Sequence, residues 1–328
     1  MFRRAVLHSL AAAALGVALS LPVTLPAAAQ SKYPDRPVKI VLPFGAGGVA
    51  DVTTRLVADK LSEKIGQRFV VENMPGAGGI TAARAVQQAP ADGYTLALFS
   101  NGTAVSVGLF KSLPFDPIKD FAPVSSMGYF DLIFVTAADS PYKTLADFIK
   151  AAKAKPGTLN FGTIASGSTQ NLGAELFKTS AGIDIFIVPF KTSGEVLLGL
   201  QRNDVQMAAE FYAAARGNLN SKAIVAVGTS GPKQPAYLPG VPTVAATVPG
   251  FDVTSWNAIF VPAGTPADVI ATLNKALNEV LADPEIRKKA LEMGIDARGS
   301  TPAEIQQRLK DDIVKWSKVI ADAKIEKR

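Results

Sequence analysis

The chain of 328 residues contains no cysteine and a single histidine, His8. Without cysteine there is no disulfide, no thiolate nucleophile, no thiolate-bound metal and no lipid-modified N-terminal cysteine. His8 lies in a segment that reads as a cleaved leader, so the rest of the chain has no imidazole. That removes Ser-His-Asp and Cys-His catalysis and nearly all zinc hydrolase chemistry. Long apolar runs are also scarce. The one near the N-terminus, residues 10–21, falls short of the roughly 20 residues a span needs, and Pro22 and Pro26 follow it. No basic run is interleaved with aromatics, so no nucleic-acid partner is expected.

What the N-terminus does contain is an export signal. Arg3 and Arg4 precede the apolar run, and Ala27-Ala28-Ala29 closes the segment with an A-x-A pattern. The reading is a signal peptide over 1–29, cleaved after Ala29, with the mature chain outside the cytoplasm; the resemblance given below implies the periplasm. About 300 residues remain, enough for two domains of ordinary size that bury a core without disulfides. The net charge of +6 falls to +4 once Arg3 and Arg4 leave, a mild excess that is mostly solvated.

The mature chain is organised around residues 38–51. The apolar run 38–42 stops at Pro43, Gly45, Gly47 and Gly48 follow, and a helical pattern opens near Asp51. A strand that feeds through glycines into a helix N-terminus suits a carboxylate or phosphate. Glycine lets backbone approach closely, the first N–H groups of a helix lack partners, and its dipole is positive there. The tetrapeptide Gly-Ala-Gly-Gly recurs at 76–79, again between a strand (68–72) and a helix (80–87), and a third strand covers 95–99. Only the first Gly-rich turn is expected to face a ligand. The first helix is read with Val52, Leu56, Val57, Leu61 and Ile65 on its core stripe and Gly66 as C-cap.

A second block repeats the pattern. Strands are expected at 132–136, 159–163, 183–189, 205–209, 223–227 and 258–261, with helices at 144–155, 172–180 and 194–201. Thr265 reads as an N-cap with Pro266 at the first helical position, and three closing helices follow at 267–282, 284–293 and 302–324. Their charged faces read as solvated surface. Successive βα units imply parallel sheets whose ligands bind at the strands' carboxyl ends. The expected architecture is α/β and bilobal, with lobe 1 at 30–131 and 252–328, lobe 2 at 132–251, and a cleft between them.

Several residues admit two readings. Asp51 is either a helix-dipole carboxylate or a group that orients a backbone loop beside the anion. Phe44, Phe190, Phe211 and Tyr212, each at a strand end, are core residues or aromatic cleft walls. Glu210 is a hydrogen-bond anchor or a surface residue, and Lys191 is read as one half of a structural ion pair. An enzyme is the alternative function: Gly45–Ala50 fits G-x-G-x-x-A, with acidic Glu72 about 20 residues on, as in a dinucleotide-binding turn. Against it, Pro43-Phe44 separates strand from glycine, export removes the chain from cytoplasmic cofactor, and no acid–base group is in sight.

Seven stretches in order resemble the periplasmic solute-binding proteins of tripartite tricarboxylate transporters, the TctC or Bug family. They are 33–37 with 40–44, Val71-Glu72-Asn73-Met74-Pro75-Gly76-Ala77-Gly78-Gly79, Ala91-Asp92-Gly93-Tyr94-Thr95-Leu96, 115–117 with 120–124, 188–191, 238–244 and 262–266. The resemblance implies a type II periplasmic-binding-protein fold that closes on a small organic carboxylate, di-, tri- or aromatic. It further implies membrane transporter components as partners, a monomer, no cofactor, no metal and no catalysis. Carried over by position, the first lobe would bind through Phe44, Gly47, Gly48, Asp51, Ser100 and Thr103. The second would bind through Ser168, Thr169, Gln170, Asn171, Phe190, Thr192, Ser193 and Glu210. Gly45, Ala46, Ala50, Ser106-Val107 and Asn171 depart from the family's usual residues, and all fall in the expected ligand loops.

Overall fold

In the computed structural model the described residues are 33–328; the expected signal peptide lies outside them. Among the described residues nine strands and ten α-helices follow one another in this order. β1 (Val38–Leu42), α1 (Val49–Ile65), β2 (Phe69–Asn73), α2 (Ile80–Gln87), β3 (Thr95–Ser100) and α3 (Asn101–Leu109) build three βα units. β4 (Phe121–Ala137) comes next, then α4 (Leu145–Ala154), β5 (Asn160–Ile164), α5 (Thr169–Ala181), β6 (Phe186–Phe190) and α6 (Ser193–Gln201). The chain continues through β7 (Met207–Phe211), α7 (Tyr212–Asn220), β8 (Ile224–Thr229) and β9 (Thr254–Pro262). It closes with α8 (Ala267–Leu281), α9 (Pro284–Glu292) and α10 (Pro302–Asp322).

The strands run in the order β2-β1-β3-β9-β4-β7-β5-β6, with β8 also on β4. The outer trios β2-β1-β3 and β7-β5-β6 are parallel, as βα connections require. The central pairings, made by β9 and β4, are antiparallel. β4 is the strand common to both halves. Its residues 121–131 pair with β9, and from Leu132 onward it pairs with β7 and β8.

Strand alternation sends side chains to both faces. Val38, Ile40 and Leu42 pack with Val57 and Leu61 of α1 and with Leu273 and Leu277 of α8. Val41 faces the other way, toward Val86 of α2 and Trp316 of α10. In the second half Phe134, Phe161, Phe177 and Phe251 interlock, edge-to-face except for the tilted Phe161–Phe177 pair, with ring centroids 5.1 to 6.2 Å apart. Val196, Leu197 and Leu200 of α6 cover the opposite face.

The first helix differs from its expected face. Val52 is 43% exposed, whereas Thr53 and Thr54 are buried. Their hydroxyls donate to the carbonyls of Val49 and Ala50, which removes the cost of burying them. Gly66 is the left-handed C-cap expected. Thr265 does not cap α8: its hydroxyl donates to the Pro262 carbonyl, and Pro266 occupies the cap position.

Candidate functional site

Five helices begin at the carboxyl ends of β1, β2, β3, β5 and β7, and residues of all five junctions line one cavity of about 590 Å³. The first Gly-rich turn contributes Phe44, Gly48, Val49 and Ala50. The second contributes Gly76, Gly78 and Gly79, so both turns face the cavity rather than the first alone. From the second half come residues 164–170 and Phe211.

Local chemistry fixes each turn. Gly47 takes a left-handed φ of +82°, open to glycine with little strain, and its N–H donates to Asp51 Oδ2 at 2.9 Å. Asp51 Oδ1 accepts from Arg55 Nε at 3.0 Å and from Asn73 Nδ2 at 2.9 Å, and the same Asn73 amide reaches the Phe44 carbonyl. Burial alone would raise the Asp51 pKa. The donors Arg55, Gly47 and Asn73 outweigh it and hold the carboxyl below its usual range. Asp51 is 3% exposed and faces its own loop. Gly48, next along the chain, is the N-cap of α1 and offers no side chain to cap it. The first N–H groups of α1 are therefore left to solvent or a ligand, with the helix dipole behind them.

The second-half turn has the same skeleton. Gly167 has φ +79° and donates to Asn171 Oδ1 at 3.0 Å, while the Ser168 hydroxyl caps α5 by accepting from Asn171 N at 3.1 Å. At α3 a reciprocal pair operates: Ser100 Oγ accepts from Gly102 N, and Thr103 Oγ1 accepts from Ser100 N. The two walls touch directly. Asn101 Nδ2 donates to Thr169 Oγ1 at 2.9 Å, and Trp316 Nε1 of α10 donates to Asn101 Oδ1 and fixes that side-chain amide.

Of the residues expected at the site, Phe44, Gly48, Ser100, Thr103, Ser168, Thr169 and Gln170 share the cavity wall. Gly47, Asp51 and Asn171 stand one layer behind, holding the turns. Phe190 packs on Gly199 of α6, where an added Cβ would lie 2.8 Å from its ring. Thr192 caps α6 through Glu195 N. Ser193 donates to Glu210 Oε2 at 3.0 Å, and Gln170 and Phe211 N approach the same oxygen at 3.4 and 3.3 Å. Glu210 is wholly buried and its Oε1 has no partner. Burial pushes its pKa up, and the three donors offset only part of that. Lys191 makes no ion pair among the described residues; its backbone N–H donates to Glu195. Tyr212 stacks on Tyr237 instead of reaching the cavity.

The wall holds residues that the sequence reading did not single out. Val105, Leu109 and Phe110 of α3 and its C-cap, with Phe130 of β4, give it an apolar flank; Phe130 meets Phe211 edge-to-face at 5.2 Å. Ser255, Asn257 and Arg328 complete it. Among the described residues no cluster of acidic side chains could hold a metal ion. None of their helices is long and apolar enough to cross a membrane.

Comparison with known proteins agrees with this geometry. A family model described as "Tripartite tricarboxylate transporter family receptor" matches residues 53–325. Protein BugT of Bordetella pertussis is 34% identical over 298 residues, 88% of this chain and 90% of that protein. The solved structure "R. palustris Rpa4515 with adipate" is 33% identical, with a TM-score of 0.78, covering 90% of this chain and 100% of the other. "MatC (Rpa3494) from Rhodopseudomonas palustris with bound malate" is 30% identical, with a TM-score of 0.72 and coverage of 88% and 100%. The architecture is the two-lobe α/β fold of periplasmic binding proteins, as the sequence led one to expect.

Proposed function

The chain belongs to the tripartite tricarboxylate transporter family of receptors, and on that premise we propose that it is a periplasmic solute-binding protein. It captures a small organic carboxylate between two lobes and delivers it to the membrane components of a tripartite tricarboxylate transporter. The observation that carries this reading is the cavity into which five helices open. Two of them, α1 and α2, start on a glycine and have no side-chain cap, and at α1 that glycine is in extended rather than left-handed backbone. An anion there gains N–H donors and dipole field without displacing a hydrogen bond of the fold. The relatives described with adipate and with malate supply the solute class.

The protein acts as a monomeric receptor rather than an enzyme. Support comes from the chain itself, which has no thiol at all and no imidazole after residue 8. We take the lobes as 30–131 with 252–328, and 132–251, because β4 changes partners between residues 131 and 132. Contacts that the solute makes with both lobes at once shift the population toward the closed form.

Titration calorimetry of the mature chain against mono-, di- and tricarboxylates and against NAD tests the reading. Saturable binding of at least one carboxylate, with no NAD response, is the expected result. Tight NAD binding without any carboxylate response would sink it.

A further inference from the structure

Two polar side chains on the cavity wall take no part in holding the fold. Ser255 and Asn257 of β9 are each 3% exposed, yet among the described residues neither side chain has a hydrogen-bond partner. Buried hydroxyls and amides are as a rule paired, and an asparagine brings two N–H donors and a carbonyl acceptor. The other small polar groups nearby are engaged. Ser100 and Ser168 accept from N–H groups at the starts of α3 and α5, Ser106 reaches the carbonyls of Gly78 and Gly102, and Thr169 accepts from Asn101.

Strand geometry sets both groups toward the start of α1. Two residues apart on β9, Ser255 and Asn257 share one face, while Trp256 between them faces the other way and donates to Asp312 of α10. Ser255 stands opposite Phe130 of β4, and Asn257 opposite Ser100 of β3. Phe130 packs into the same core as Val49 and Ala50 of α1. The unpaired groups and the uncapped helix start therefore lie on one face of the sheet. Only β3 separates β9 from β1, so they stand about 10 Å apart at the usual strand spacing. A short solute with a hydrogen bond at each end fills that distance.

The chemistry of the β9 pair is neutral. The one charged residue lining the cavity, Arg328, is held at the far end of α3 by the Leu109 carbonyl. A second carboxylate beside Asn257 would be buried without a countercharge, and as a pure acceptor it would leave the Asn257 carbonyl oxygen unpaired. An alkyl end would leave every polar atom of the pair unpaired. A primary carboxamide carries a carbonyl and an N–H2 side by side. It meets the Asn257 amide with both, and the Ser255 hydroxyl bonds either.

We propose that Asn257 and Ser255 form a specificity subsite for an uncharged carboxamide. The preferred solute carries one carboxylate, which sits at the start of α1, and one primary amide, which sits on β9; it is a half-amide of a short diacid rather than the diacid itself. This inference rests on the proposed carboxylate-binding function, and it assigns the second contact within it.

The test is calorimetry on the mature chain with two sets of solutes matched in shape: succinamate, succinate and 4-methylpentanoate, then adipamate, adipate and 6-methylheptanoate. In at least one set the wild type should bind the half-amide about tenfold or more tightly than either companion, the scale of leaving buried polar groups unpaired. Asn257→Leu keeps the volume, removes both polar atoms and should erase the preference over the branched acid. It breaks no hydrogen bond of the unliganded fold, so its melting temperature should equal or exceed that of the wild type, which a structural role for Asn257 would not allow. Ser255→Ala should narrow the same preference by a few-fold, and it decides the matter if leucine is not accommodated. The subsite is overturned if a diacid or branched acid binds the wild type as tightly as its half-amide, if carboxylates bind and neither half-amide does, or if either folded variant keeps the full preference. In each of those cases the receptor reading stands. If the wild type binds no carboxylate at all, the receptor reading falls and this inference with it.

Discussion

The two turns that face each other across the cavity share one backbone design and differ in the side chains that finish it. In each, a left-handed glycine donates its N–H to a side chain four residues on: Gly47 to Asp51 and Gly167 to Asn171, at 2.9 and 3.0 Å. The residue after the glycine is Gly48 in the first turn and Ser168 in the second, so α1 is uncapped and α5 is capped. The first turn is held by a carboxylate with a cation beside it, Arg55. The second is held by a neutral amide, Asn171, and the neighbouring Gln170 reaches the buried Glu210. The comparison separates roles that sequence alone merges. Asp51 builds the loop; the bare backbone at Gly48 is what remains for the anion.

The sharpest way to break this comparison is to fill the bare position. Gly48 has an extended φ of −76°, and a Cβ there meets nothing closer than the Gly45 carbonyl at 3.9 Å. Gly48→Leu should abolish carboxylate binding, a loss of about 3 kcal/mol or more, with a melting temperature close to wild type. Gly47 is the poorer probe, because its positive φ adds backbone strain and its Cβ direction is open space. Calorimetry and a thermal melt on the same sample decide the matter.

Removing the two turn anchors should hurt unequally. Asp51→Ala leaves Gly47 N, Arg55 and Asn73 without their acceptor and should cost about 2–3 kcal/mol. Asn171→Ala orphans Gly167 N and should cost about 1 kcal/mol. Urea unfolding of the two variants ranks them; equal losses would erase the distinction between the turns.

The smallest effect, and the one with opposite signs, is the response to pH. Asp51 has a lowered pKa in the fold, so its contribution is complete above the usual carboxylate range and is lost as pH falls through the lowered value. Glu210 has a raised pKa, so the fold loses stability as pH climbs from the usual range through the raised value. Asp51→Asn should therefore fall behind the wild type at neutral pH and close the gap in acid. Glu210→Gln should gain on the wild type as pH rises. Melts across a pH series read both; slopes of the same sign would contradict the electrostatic assignment.

Much of the fold was legible where local pattern and tertiary need coincide. β1 is bounded by Pro37 and Pro43 around an apolar run, and the structure keeps those limits. The strand expected at 132–136 is the end of β4, a strand of 17 residues. Its first part carries Pro123, Ser125, Ser126 and Gly128, which break any strand pattern. Register shifts at those positions absorb the irregularity, and the two serine hydroxyls are satisfied by Arg298 and Ser300. α3 escaped notice for a related reason. Gly102 and Gly108, with Thr103, Val105 and Val107, are poor helix formers, and burial plus the Ser100–Thr103 cap hold the helix instead. α7 buries only Ala215, which leaves almost no periodic signal.

The site divides along the same line. Turns written in consecutive residues, such as Phe44–Asp51 and Ser168–Asn171, announce themselves through glycines, caps and strand ends. Contacts made across the chain do not. Trp316 steadies Asn101 from 215 residues away, and Arg328 reaches Ser166 over 162. No local pattern in 302–328 distinguishes that arginine from the solvated charges around it. Phe190 is expected at the site from the family resemblance, and its place at a strand end leaves core or cleft wall open; in the structure β6 is the edge of its sheet and the ring packs on Gly199.

The central claim is that an uncapped backbone turn receives the carboxylate, and a crystal structure of the mature chain grown with adipate tests it most directly. The account predicts a carboxylate within about 3 Å of the N–H groups at the start of α1. Adipate held elsewhere, with the start of α1 bonded only to water, would contradict it.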